Sequence, residues 1–568
     1  MFRDSQIFVV IAVAVALCAP LLRLEWFGGH ELYSYVLRTL EWAEEMRGGQ
    51  LYPRWCPDFY GGFGSPLFVF YGPVIYGAAG LLTATYLDPF QALKVVVVVG
   101  SVLSGVGAFA VVYGETRRRD AALLGGLAYL ASPYRNGNLY ARGDLGEFSC
   151  IALLPLVIAL YRAAAREAQP RRARWLAVAA AVLNGVMIMT HPVLGLWGSL
   201  VVGLIVLGSA IGLWARGIWR RALPMVLAIA CAPALAGVYI LPAMAYRGIT
   251  HTKDMIVGFY KPQDQWIAFH SLFDTHPIFW PNFLSIGYLL AAAFAASVLL
   301  LLVNFQKGRS VVGWMALTIF LVSLTLPHAR WFWAPGRVPL SQFIQFPWRL
   351  LGPASLTASV SLGIAFSHLT ERRPEWLRNG LAIAFPTAFF LVVTWPFLTQ
   401  TELLKAGTPR DPDSIRRGIY SATDANEYLP LAVTTPPSAP REDLVSSSEN
   451  AEVEFSSSDG SRHWLGVRAE RSNAALTLGL YSFPGWKVQT LSGPAKAKLA
   501  TNEQGQLLLR LPLPGEYRIR VKYGASPAET AGALLSVLAA IALALIVVRG
   551  SRFWPLRIPA TPAVKGAS

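Results

Sequence analysis

Two patterns of apolar and polar positions divide this chain. Through residues 1–398, and again near the end, unbroken apolar runs recur, including 7–24, 192–213, 222–245, 284–304, 379–398 and 531–548. Each approaches the roughly 20 residues that cross about 30 Å of hydrocarbon. Between residues 399 and 530 such runs vanish. After the linker TTPPSAPRED come short alternating stretches, AEVEF, HWLGVRAE, ALTLGLYSF, GWKVQTL, LLLRLPL and YRIRVKY, parted by SSSDGS, NEQGQ and PGE. Alternation punctuated by turn residues predicts a small antiparallel β-sandwich. A third pattern occupies 31–47, where Leu32, Tyr35, Val36, Leu40, Ala43 and Met46 form one helical stripe and Ser34, Arg38, Glu41 and Glu45 the opposite face. It predicts an amphipathic helix lying flat on a membrane surface.

Composition agrees: 54% of residues are hydrophobic, 14% are charged and mean hydropathy is +0.44, a balance outside the range of water-soluble domains. The net charge of +16 raises nucleic acid as a partner, but the Lys and Arg residues cluster between apolar runs, at 117–119, 162–174, 216–221, 307–309, 372–378 and 549–565. Basic short loops stay cytoplasmic, so membrane topology accounts for the charge and nucleic acid is not required. Alternating clusters and runs gives about twelve spans with both termini inside: 7–24, 92–113, 120–136, 147–165, 174–190, 192–213, 222–245, 284–304, 311–326, 350–368, 379–398 and 531–548. The first reads as a retained span, because no small-x-small cleavage site follows it. The stretch 66–87 is assigned to the outer interface, since a span there would put Arg117–Arg119 outside. The expected organisation is a transmembrane bundle over 1–398 with an outer loop at 25–91, a linker at 399–446, an outer β-sandwich at 447–527, and a last span with a basic tail at 528–568. Of the four cysteines, Cys18, Cys150 and Cys231 fall within predicted spans and only Cys56 outside them, so no disulfide framework is expected.

Several segments, GGHELYSYVLR, GGQLYPRWCPDFYGGFGSPLFVFYGPVIY, RGDLGEFSCIALLPL, THPVLGL, QFPWRLL, TDANEYLP and SFPGWKV, are together similar to the bacterial membrane proteins labelled 6-pyruvoyl-tetrahydropterin-synthase-related, which resemble the GT-C glycosyltransferases. The label carries no pterin chemistry: soluble pterin synthases use a histidine-liganded zinc, and no such histidine set occurs here. The resemblance implies a bacterial inner-membrane enzyme that moves a sugar from a polyprenyl-phosphate carrier to a glycan, lipid or protein acceptor at the outer face, in contact with membrane lipid. It maps the first-loop acid of such enzymes, commonly Asp, onto Glu31.

That chemistry needs a base, cations for the departing phosphate and a greasy approach. Glu31, with Asp58 second, is the candidate base; capping a helix and forming a turn are their ordinary alternatives. His30, Arg54, Arg142, Glu147, His191, Arg349 and Glu427 are candidates for substrate or phosphate contact, against local ion pairing for Arg142, Asp144 and Glu147, snorkelling for Arg349, and a structural donor role for His191. No metal ligand set is assigned, although a divalent ion, Mg2+ or Mn2+, is compatible with the acids. A transporter or flippase of lipid-linked sugars, and a non-enzymatic envelope assembly factor, are the rival readings.

Overall fold

A computed structural model of the protein describes residues 5–23, 31–257, 260–274, 284–339, 343–395, 411–423 and 426–553. Its helices in chain order are α1 (Ser5–Ala16), α2 (Leu32–Arg47), α3 (Pro73–Thr85), α4 (Pro89–Thr116), α5 (Arg119–Leu130), α6 (Leu145–Arg166), α7 (Pro170–Thr190), α8 (Pro192–Ala215), α9 (Leu223–Leu235), α10 (Gly237–Tyr246), α11 (Gly287–Val303), α12 (Phe305–Ser323), α13 (Leu351–Leu369), α14 (Glu375–Phe389), α15 (Pro412–Arg417) and α16 (Pro527–Phe553). Among the described residues seven helices are long and apolar enough to cross a membrane, and nine if each bent pair counts as one span. One bent pair is α9 with α10, which turn by 53° about Ala236. The stretch 66–87 yields α3, whose 13 residues fall short of a span and pack on α2 and α4.

Helix α13 is the central column. It is buried almost throughout and built from small residues, with Ser355, Thr357, Ala358, Ser359 and Gly363 along its length. Small side chains let helix backbones approach where lipid offers no hydrophobic drive for association. A Cβ on Gly363 would lie 2.6 Å from a Val112 methyl of α4. By contrast α16 stands at the periphery, with Leu534, Leu538, Ile541 and Val548 exposed.

The basic loops gather at one end of the bundle. Arg378 Nε donates to Asp120 Oδ2 at 2.6 Å, and Arg162 Nε to Glu115 Oε1 at 2.8 Å. The opposite end carries α2, the 48–66 loop, α15 and the sandwich. Strands β1 (Val445–Glu449), β2 (Ala451–Asp459), β3 (Arg462–Ala469), β4 (Ala474–Tyr481), β5 (Trp486–Ser492), β6 (Lys498–Thr501), β7 (Gln506–Leu511) and β8 (Gly515–Tyr523) form two four-stranded sheets, β1-β4-β7-β6 and β2-β3-β8-β5. All strand pairs are antiparallel. Inward residues such as Leu465, Val467, Leu476, Leu509, Ile519 and Val521 make a core of its own.

One expectation fails at α2. Its polar face is not solvated: Arg38, Glu41 and Glu45 are each 2–3% exposed. Arg38 Nη2 donates to the Ala422 carbonyl at 2.9 Å, and the Ser461 amide donates to Glu45 Oε1 at 2.9 Å. The helix is amphipathic because two different partners cover it, the bundle on one side and the linker with the sandwich on the other. At the β2–β3 turn Gly460 has φ +55°, and a Cβ there would lie 2.1 Å from Glu45 Oε1. Only glycine permits this approach.

Candidate active site

The site is built around the segment Arg142-Gly143-Asp144-Leu145-Gly146-Glu147. Residues Asn138–Arg142 form one π-helical turn, and Gly143 reverses the chain at φ +68°. Asp144 then caps α6, its Oδ1 accepting the Glu147 amide at 2.8 Å. The reversal brings Glu147, in the first turn of α6, back against Arg142. Arg142 Nη1 donates to Glu147 Oε2 at 2.8 Å and to Asn138 Oδ1 at 2.6 Å, and its Nη2 reaches Asp144 Oδ2 at 3.1 Å. Arg349, at the entry of α13, donates from Nε to the same Glu147 Oε2 at 3.0 Å. The other Glu147 oxygen accepts from Asn138 at 3.0 Å and from the Tyr134 hydroxyl. Glu147 is fully buried and anchors both arginines.

Glu31 stands in front of this cluster. Its amide donates to the Arg142 carbonyl at 3.0 Å, its carboxylate lies 3.6 Å from Arg142 Nη2, and its side chain is 34% exposed. Tyr35, one turn on, donates to Asp144 Oδ1 at 3.1 Å and accepts the Gly146 amide at 2.8 Å. Beyond them opens a cavity of ≈ 1060 Å³, counting the space continuous with solvent. Glu31, Arg38, Asp144, His191, Arg349 and Glu427 line it, with an aromatic wall of Tyr71, Tyr76, Tyr260, Phe346 and Tyr428.

The acids differ in charge state. Burial, and then the Asp144 carboxylate, push Glu31 up to about 7. Burial acts the same way on Asp144, but Arg142, His191 and Arg349 outweigh it and hold the group at about 2. Two carboxyls with well-separated proton affinities are an arrangement suited to one base and one permanent anion. Burial pushes His191 down to about 4, so it is neutral near pH 7.

Of the residues expected here, Glu31, His191, Arg349 and Glu427 line the cavity, and Arg142 and Glu147 sit directly behind it. His30 lies outside the described residues. Asp58 does not join Glu31. It is buried beneath the sandwich, where Arg416 Nε donates to its Oδ1 at 3.0 Å and its own amide faces Glu41 Oε2 at 3.4 Å. Arg54 is also elsewhere. It packs on the Tyr52 ring at 3.5 Å, donates to the Val238 carbonyl at 2.8 Å and approaches Glu529 at 3.8 Å, tying the first loop to α10 and α16. Arg38 went unrecognised. It reaches the cavity under the Tyr71 ring at 4.2 Å, with Nη1 3.1 Å from the Tyr76 hydroxyl.

Asp144, Glu147 and His191 bring ligand atoms within 4.8 Å of one another, a grouping that can hold a metal ion. Their hydrogen bonds argue against one in this arrangement. His191 Nδ1 accepts the Leu194 amide at 3.1 Å as the cap of α8, so the neutral ring carries its proton on Nε2, which points at Asp144 Oδ2 from 4.0 Å and has no lone pair to offer. Both Glu147 oxygens are already engaged by Arg142, Arg349, Asn138 and Tyr134. The arginines supply here the positive charge that an ion would bring.

A family described as the 6-pyruvoyl-tetrahydropterin synthase related domain, a membrane protein, matches residues 68–405, more than half of the chain. The chain belongs to this family. No curated protein matches it. Among solved structures, this pterin-synthase-related protein is similar to the oligosaccharyltransferase of Archaeoglobus fulgidus in complex with Zn and sulfate, at 13% identity over 76% of this chain and 59% of that one, with a TM-score of 0.42. It is also similar to the same organism's enzyme in complex with an inhibitory peptide and a dolichol-phosphate, at 13% identity over 78% and 62%, again with a TM-score of 0.42. The chain thus spans under two thirds of the length of either.

Proposed function

We propose that this protein is an inverting membrane glycosyltransferase of the GT-C type. It takes a sugar from a polyprenyl-phosphate carrier and passes it to an envelope glycan, lipid or protein at the outer face of the bacterial inner membrane. The observation that carries the reading is the cavity shared by Glu31, Arg349 and Glu427, opposite the basic loops of the bundle. Between Glu147 and Arg162 the chain climbs roughly 22 Å along α6, and basic loops mark the cytoplasmic end. In this reading the cavity faces outward and both termini lie inside.

In this reading Glu31 accepts the proton of an acceptor hydroxyl. The oxygen attacks the anomeric carbon, the bond from that carbon to the phosphate oxygen breaks, and polyprenyl phosphate leaves with the electron pair. Arg349, held through Nε by Glu147, turns the rest of its guanidinium toward the cavity and meets the phosphate. Arg142 keeps Asp144 ionised, holds the Glu147 carboxyl by a hydrogen bond and stays behind. Glu427, which accepts the Thr423 hydroxyl at 2.6 Å, and the tyrosine wall contact the sugar. No step is routed through a metal.

The test uses the full chain in proteoliposomes with a polyprenyl-phosphate hexose labelled in the sugar. Wild type releases polyprenyl phosphate as label moves to the acceptor, and Glu31→Gln loses that release while still binding the donor. Undiminished release by Glu31→Gln would remove the assignment. Donor binding by wild type without turnover would favour a flippase.

A further inference from the structure

The outward face of sheet β2-β3-β8-β5 carries a charge pattern that its own fold does not explain. Pairing across the four strands sets three rows. The first is Asp459, Arg462, Lys522 and Lys487; the second is Ser457, Trp464, Arg520 and Gln489; the third is Phe455, Gly466, Arg518 and Ser492. These positions alternate with the buried Leu465, Val467, Ile519 and Val521, so they share the solvent side. Lys522 sits directly between Arg462 and Lys487. Like charges at opposed positions cost stability, and hydrophilic neutral residues would fill the row without that cost. Asp459 pairs with Arg462. Lys487 Nζ donates to the Ala525 carbonyl at 2.8 Å, and Arg520 Nη2 to Gln489 Oε1 at 2.6 Å. Among the described residues no acid pairs with Arg518, Arg520, Lys522 or Lys487.

Two aromatic rings are set into this basic field. Trp464 lies beside Arg520 in the middle row. Phe455, 46% exposed, lies across Gly466, where a Cβ would stand 2.2 Å from its ring. Glycine at 466 is what lets that ring lie down on the sheet. The pattern ends beyond the third row, where Arg468 is matched by Glu454 and Glu516.

We infer that this face binds an anionic polysaccharide: the arginines and lysines meet its carboxylates or phosphates, and Trp464 and Phe455 meet the apolar faces of its sugar rings. An anionic lipid surface is the competing source of negative charge. β8 ends at Tyr523 and α16 begins at Pro527, so Lys522 lies at the end of the strand nearer that helix and Arg518 roughly 13 Å further along it. Cations separated by more than the screening length of about 8 Å at physiological salt suit the repeated charges of an extended polymer. Extended chain chemistry matches the rows, and the aromatic rings match sugar. The inference concerns the acceptor side of the proposed reaction but does not require transfer to occur.

The test measures binding of polygalacturonate, with uncharged dextran as control, to the full-length protein in phosphatidylcholine nanodiscs. Polygalacturonate binds, dextran does not, and raising salt from about 50 to 500 mM weakens binding at least tenfold. Arg518→Glu with Lys522→Glu weakens it at least tenfold, and the milder Trp464→Ala several-fold in a chain of unchanged melting temperature. Glu31→Gln binds as wild type does, which separates this inference from the transferase reading. Equal binding by wild type and the charge-reversed variant overturns it. So does hydrogen-exchange protection of β8 by phosphatidylglycerol nanodiscs with no binding of polygalacturonate, which assigns the face to lipid.

Discussion

Helix α2 carries acids at both ends, and the two ends have different fates. At its N-terminus Glu31 stands before Asp144 and Arg142 and opens onto a cavity. Toward its C-terminus Glu41 and Glu45 are sealed beneath the linker and the sandwich, with Asp58 and Arg416 beside them. Burial raises the proton affinity at both ends: Glu31 and Glu45 are each pushed up to about 7, by burial in the first place. A perturbed carboxyl alone does not mark an active site. What separates the ends is access, together with a second cationic group free to meet a ligand. Glu31 has both, whereas Glu45 spends its oxygens on the amide and hydroxyl of Ser461, at 2.9 and 2.6 Å.

The comparison breaks most easily at Glu31. Glu31→Gln should lower transfer by roughly 10²–10⁴-fold, and Glu45→Gln should leave it within about threefold, both read as polyprenyl phosphate released. If the two variants lose equally, the two ends are not distinct. Next in size, Arg349→Gln should lower the rate by about 10²-fold, with Arg349→Lys recovering part of it, because a point charge still meets a phosphate. Arg416→Gln reverses the emphasis. It leaves Asp58 buried without its cation, so the melting temperature should fall by the equivalent of about 1–3 kcal/mol, while transfer per folded molecule changes little. Asp58→Asn in the same background should restore part of that stability.

The smallest effect is a pH dependence at the sealed end. A carboxyl whose folded value exceeds its unfolded value of about 4.5 binds its proton more tightly when folded. The stability Glu45 contributes in this way is fully present below about 4.5 and is lost as pH rises through about 7. Hydrogen exchange at the Ser461 amide, corrected for intrinsic rate, should therefore speed up between pH 5.5 and 8 in wild type, and Glu45→Gln should flatten the change.

Much of this architecture was legible in the sequence. Apolar runs and basic loops anticipate where the long helices lie, although 120–136 and 311–326 miss an end of α5 and α12 by about six residues and seven to nine spans among the described residues stand against the twelve expected. Alternation with turn signals anticipates the sandwich, expected over 447–527 and found from Val445 to Tyr523. Glu31, His191, Arg349 and Glu427 were singled out and share one cavity. Arg38 and Tyr35 were not, and the reason is physical. Periodicity reports that a helix has two faces but not what covers each. The cover over Arg38 comes from Ala422 and that over Glu45 from Ser461, both some 400 positions distant along the chain. The same blindness put Asp58 beside Glu31: both are acids of one loop, yet the turn through Gly61 and Gly62, at φ +65° and +90°, carries Asp58 under the sandwich.

The pH dependence of single-turnover release from a polyprenyl-phosphate hexose tests the central claim most directly. If Glu31 is the base, release should rise about tenfold per unit below pH 7 and level off above it, with the limb absent from the residual rate of Glu31→Gln. A rate flat from pH 5 to 9, or the same limb in wild type and Glu31→Gln, would contradict it.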